Sequence, residues 1–339
     1  MNFVKIKELL NIFKENIFYF YLNNPISEKY RLHKINQTLT VLDLEEVKKL
    51  TVDHYIENNK FLSHSKNKEL NAIIENFVLT MRKNFDDETL KNLYDNIKWV
   101  IFKKFNSKKH NGEYLSATNV IRLVNEKRIN TINHELLHMS SNPYDDTNNF
   151  GGLFYTVGKY KVGYGLDEGY TELLNKRYFN SDSEIYKTEV SICLFLEELV
   201  GQKKMEKMYL TANLYGLIQD LKETYEIKEI ERFFASLDYI NDYNYRNMIS
   251  DIELENLFQQ VEFAVLFLFK GFCERLTDKT MPEDLLEMDI VNYLLALFNE
   301  VEFQVDEESI NKINLIIEEK LNKNIKLNIN MFKQSKNVL

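Results

Sequence analysis

Residues 131–141 read Thr-Ile-Asn-His-Glu-Leu-Leu-His-Met-Ser-Ser, and within them His134-Glu135-Leu136-Leu137-His138 is an H-E-x-x-H motif. On a helix, positions i and i+4 share a face, so both imidazoles reach a single metal ion. Glu135 directly follows the first of them and is placed to hold and deprotonate a water at that ion. With 6 histidines in 339 residues, random placement produces such a motif in about one chain in a hundred. The plain alternative is an ordinary amphipathic helix whose core side is Ile132, Leu136, Leu137 and Met139.

A second segment decides between these. Downstream, with Glu168 thirty residues after His138, Gly165-Leu166-Asp167-Glu168-Gly169-Tyr170-Thr171-Glu172-Leu173-Leu174 predicts another helix, starting near Asp167. A catalytic zinc site takes three protein ligands and keeps one open position. Glu168 qualifies as the third ligand. Glu172, one turn later on the same face, is placed to accept the free N–H of a ligating histidine. Gly169 between them would let the backbone pack closely on the metal helix. The bland alternative is a solvated acidic helix start, since carboxylates in a first turn suit the helix dipole.

HELLH followed by LDEGYTELL resembles the zincin metallopeptidases of the gluzincin branch, over Gly112–Phe179, about a fifth of the chain. The resemblance implies that His134, His138 and Glu168 bind one Zn²⁺, that Glu135 is the general base and that Glu172 supports the ligands from behind. A strand-like segment, Tyr114–Leu123, just before the metal helix fits the same layout. Two departures bear on the third ligand rather than on the histidine pair. Asp167 stands where thermolysin-type members carry Asn, and the gap after His138 is longer, leaving room for a hairpin within Gly151–Gly163. The HELxH of clostridial neurotoxin light chains is shared too, without the segment around their distant glutamate.

This chemistry also needs a group to stabilise an oxyanion. Tyr164, just before the glutamate helix, is the leading candidate, with Tyr243, Tyr245 and Arg246 of the loop-like Asp238–Asn247 stretch behind it. The remaining histidines, His33, His54, His64 and His110, are assigned no role.

Around these segments the chain reads as α+β, mainly α-helical. Only 10 Gly and 3 Pro occur in 339 residues, which favours long helices over linkers or small β-domains. An amphipathic helix is predicted over residues 1–22, with Phe3, Ile6, Leu10, Phe13, Ile17 and Phe20 on one face, docked on the protein body. Further helices are predicted at about 43–58, 68–83 and 87–105, and throughout 182–322, of which 252–275 is the most hydrophobic piece. Six of the ten glycines fall between Gly151 and Gly169, and Leu153–Val162 reads as a hairpin turning at Gly158-Lys159. This divides the chain into an N-terminal helical region (1–110), a zincin-like metal-binding core (111–180) and a C-terminal helical region (181–339), forming one compact unit.

The net charge of −9 argues against nucleic-acid binding, which rests on clustered Lys and Arg. No stretch approaches the roughly 20 apolar residues of a membrane span, and the N-terminus does not read as a signal peptide. Cys193 and Cys273 sit in apolar helical contexts and read as reduced core residues, so a cytoplasmic location is expected. The function expected is zinc-dependent hydrolysis of a peptide or protein substrate, with the edge of the Leu153–Val162 hairpin as a candidate surface for an extended chain. The alternative is a regulatory zincin-fold protein that binds a partner through its helical flanks.

Overall fold

The computed structural model describes residues 68–333, apart from 98–99, 108–110, 144–149, 158–159, 245–249, 278–280 and 324. The helices expected over 1–22 and 43–58, the Gly158-Lys159 turn, Tyr245, Arg246, His33, His54, His64 and His110 lie outside these residues. The described residues are mainly helical, with a small mixed three-stranded sheet and a second three-stranded antiparallel one. They divide into two compact units. The first holds the residues up to Val162 with Leu174–Ser183 and Glu206–Leu217; the second holds Gly163–Leu173, Glu184–Met205 and the residues from Ile218 on.

In the first unit, helix α1 (Lys68–Asn84) buries Leu70, Ile74, Phe77, Val78 and Met81, the stripe that its periodicity predicts. Helix α2 (Lys91–Ile97) then ends eight residues before the 87–105 prediction does. The chain passes instead into strand β1 (Ile101–Lys104), which pairs in parallel with β3 (Val120–Leu123); β2 (Gly112–Leu115) pairs antiparallel on the other side of β3. Asn119 is the reason. Held at φ 48°, it donates from Nδ2 to the Asn96 carbonyl at 2.7 Å, while its own carbonyl accepts Ile101 N–H at 3.0 Å. A residue distant in sequence thus closes the helix and starts the strand, which a local pattern does not reveal. Asn119 also splits the predicted Tyr114–Leu123 strand into β2 and β3, following a short 3-10 turn at Ser116–Thr118.

Helix α3 (Ile129–Ser140) carries the H-E-x-x-H residues and packs on α1, α2, β2 and β3. Beyond it, β4 (Phe150–Gly151), β5 (Phe154–Val157) and β6 (Tyr160–Val162) form the second sheet, with β5 central. The hairpin expected at Leu153–Val162 is β5–β6, paired Tyr155 to Val162 and Val157 to Tyr160.

Helix α4 (Tyr164–Phe179) begins three residues before the predicted start at Asp167. The predicted helical region beyond 182 is observed as α5 (Lys187–Val200), α6 (Gln202–Leu210), α7 (Leu214–Leu221), α8 (Ile227–Asn244), α9 (Asp251–Leu276), α10 (Glu283–Glu300), α11 (Glu307–Leu321) and a short α12 (Asn330–Lys333). In the second unit, α9 is the axis against which α5, α8, α10 and α11 pack. It starts at a capping box of Ser250 and Glu253, and its Phe267 stacks between Tyr225 at 3.8 Å and Phe233 at 4.2 Å. Cys193 and Cys273 are free thiols, both fully buried. Among the described residues, no helix is long and apolar enough to cross a membrane.

Gly169 packs elsewhere than its position between two carboxylates suggests. A Cβ there would stand 2.7 Å from the Glu189 Cβ and 2.8 Å from its carbonyl carbon, so the close neighbour is α5, not α3. Gly169→Ala is therefore expected to lower stability by about 1–3 kcal/mol through overpacking, read by denaturant unfolding against wild type.

Candidate metal centre

Helix α3 is buried on nearly every side: Ile132, Leu136, Leu137 and Met139 supply apolar contacts, and His134 and Glu135 are also buried, at 8% and 6% exposure. The two imidazoles, one turn apart, turn their Nε2 atoms to within 3.1 Å of each other, with ring planes at 77°. Two 2.0–2.1 Å bonds at a tetrahedral ion hold their nitrogens about 3.3 Å apart, so the pair already stands at nearly that spacing. Glu135 lies against β2: a Cβ on Gly112 would come within 2.9 Å of Glu135 Oε1 and 2.7 Å of Thr131 Cγ2. The glycine leaves space for the carboxylate.

On α4, Asp167 is fully buried, Glu168 is 4% exposed and Glu172 is 3% exposed. The solvated acidic helix start is therefore overturned. Apolar neighbours Leu166, Tyr170, Leu173 and Leu174 carry the same turns inward, and the carboxylates go in with them. Burying anions is expensive unless a cation or strong donors meet them. Among the described residues, His134, His138 and Glu168 form the group able to hold a metal ion, their ligand atoms all within 4.8 Å of one another. Two imidazole nitrogens and one carboxylate oxygen suit a borderline ion such as Zn²⁺.

Glu172 follows Glu168 by one turn on the same face of α4, as its spacing predicts. Tyr164 is the first residue of that helix, half-buried and one turn before Glu168. Tyr243 is also half-buried, but it belongs to α8: the stretch read as a loop from Asp238 is helical as far as Asn244. The apolar steps Ile230, Phe233, Phe234, Leu237 and Ile240 continue the helix period into it, so the loop reading fails on a pattern that was legible.

Three residues near the site carry no local signal. Gly112 has been described, and Asp238 caps α4. The third is Glu189 on α5, fully buried, whose Oε1 accepts from Asn244 Nδ2 at 2.8 Å and whose Oε2 has no hydrogen-bond partner. Burial pushes its carboxyl up to about 7, and the nearby Glu168 charge adds to this against the Asn244 hydrogen bond.

The chain matches no protein-family model, no curated protein and no solved structure. The chemistry of the site therefore rests on its own residues.

Two measurements test this geometry. Protein purified without a tag or chelator is expected to carry about one zinc per chain by mass spectrometry, sharply reduced in Glu168→Ala; equal metal in both would move the third ligand elsewhere. In chelated protein, Glu189 binds its proton more tightly folded than unfolded. Its contribution to stability is therefore full below about pH 4.5 and is lost as pH rises to about 7. Glu189→Gln is expected to flatten that slope, by on the order of 2–3 kcal/mol across the window, in unfolding curves taken at stepped pH.

Proposed function

We propose that this chain is a zinc-dependent metallopeptidase with a zincin-like core of the gluzincin type. The observation that supports it most is the convergence of His134, His138 and Glu168 ligand atoms within 4.8 Å, with Glu135 next to the first ligand. His134, His138 and Glu168 would hold the zinc, and Glu172 would orient the ligands from one turn away. Bound zinc supplies Lewis acidity, polarising a carbonyl and bringing the pKa of a water towards about 7.

The chain's own residues do the rest. Glu135 accepts the proton of the attacking water as the water adds to the peptide carbonyl. It then passes that proton to the leaving amine, so that the C–N bond breaks with the nitrogen neutral. Burial of Glu135 at 6% exposure keeps bulk water from competing for this proton. Tyr164, one turn before Glu168, is the residue assigned to the developing oxyanion.

A peptide or protein substrate enters this reading as an extended chain. Strand β2 is an outer strand of the sheet that packs on α3, with Gly112 under Glu135, and its open edge is the one proposed to take that chain.

Glu135→Gln is expected to bind zinc as wild type does and to lose cleavage of an unbiased peptide library by about 10²-fold or more, chelation of the wild type having the same effect. Wild-type cleavage by the variant would sink the role of Glu135. Absence of any zinc-dependent cleavage across the library would sink the peptidase reading.

A further inference from the structure

Helix α4 has no cap of its own. Its first intrahelical bond runs from Asp167 N–H to the Gly163 carbonyl at 2.9 Å, which makes Gly163 the residue at the helix entrance. Gly163 stands at φ 80°, a conformation that favours glycine, and a glycine has no side chain to accept the free N–H groups of the first turn. The preceding Lys161 and Val162 offer no acceptor of the capping type either. Asp238, on α8, supplies it. Its Oδ1 accepts Gly165 N–H at 2.9 Å and its Oδ2 accepts Gly163 N–H at 3.1 Å. Both are charge-assisted bonds, made where the helix dipole favours an anion.

A second contact fixes the same turn. A Cβ on Gly165 would run into the carbonyl of Leu237, the residue beside Asp238, so the backbones of α4 and α8 touch there. Two amides held by one carboxylate, with a backbone contact beside them, define both the axial position and the rotation of the helix start. Glu168 lies three residues beyond Gly165. In an α-helix each residue is about 100° of rotation and about 1.5 Å of rise, so a slip of one residue at the start would swing Glu168 off its present direction. Metal sites tolerate only about 0.2 Å in bond length.

We infer that Asp238 is the positioning residue of the third metal ligand, capping α4 from α8 and so setting where the Glu168 carboxylate stands. The inference rests on the metal site of the proposed function. Asp238→Asn keeps the shape but presents an N–H in place of one acceptor oxygen, and Asp238→Glu keeps the charge but moves it by one methylene. Ser236→Ala serves as the control, since it removes a 2.9 Å bond from α8 to Gln260 on α9 and leaves the cap alone.

The experiment measures zinc affinity by chelator competition and records the visible absorption of the cobalt(II) form, with circular dichroism to follow the fold. Both Asp238 variants are expected to remain folded, to bind zinc about tenfold or more weakly and to show an altered cobalt spectrum. Ser236→Ala is expected to lower the melting temperature with affinity and spectrum unchanged. Asp238 variants with wild-type affinity and spectrum, whatever their melting temperature, would overturn the inference and leave the metal site standing. Wild-type protein that takes up neither zinc nor cobalt would overturn both.

Discussion

A carboxylate removed from water needs a cation or a set of donors to meet it, and this requirement governs the centre of the molecule. Asp167, Glu168 and Glu172 are all nearly or fully buried on two turns of α4, and Glu189 is buried beside Gly169 on α5. The Glu168 charge bears on Glu189, which also carries a desolvation penalty. Protonation relieves one of them, Glu189, whose carboxyl is driven up to about 7. Glu168 also belongs, with His134 and His138, to the group able to hold a metal ion.

The surrounding elements exist to hold these groups at fixed positions. In the first unit, α3 packs against two helices and two strands, so Asn133, His134 and Glu135 are held away from solvent. Glycine is used where side chains must come close. Gly112 admits the Glu135 carboxylate, Gly165 admits the Leu237 carbonyl and Gly169 admits α5. Each removes a methyl group at a point where backbone or a buried side chain occupies its place. The helices of the second unit then provide what α4 lacks in its own sequence, an acceptor for its first amides.

Much of this was legible without coordinates because it is short in range. The i, i+4 pair His134 and His138, the spacing of Glu168 and Glu172, the amphipathic stripe of α1 and the hydrophobic run of α9 follow from the helix period alone. Glycine and alternation marked the β5–β6 hairpin in the same way. The misreadings around β1 have a long-range cause. Helix α2 was extended to 105 because nothing local stops it at Ile97. The stop is an amide from Asn119, which also starts β1 and breaks the Tyr114–Leu123 segment in two.

Residue types and periods therefore determined which side chains share a helix face, and with it a pair of histidines and a following glutamate suited to a metal and its water. Burial was beyond that reach. The same acidic segment also admits a solvated helix start, because sequence reports how far apart residues are along the chain and not how much water remains around them. Tertiary structure decided that Asp167, Glu168 and Glu172 are inside, that Gly169 meets Glu189, and that an aspartate 75 residues from Gly163 caps the helix that carries Glu168. Those are long-range contacts, made only when the chain has folded, and their energies depend on the low-dielectric surroundings that folding creates.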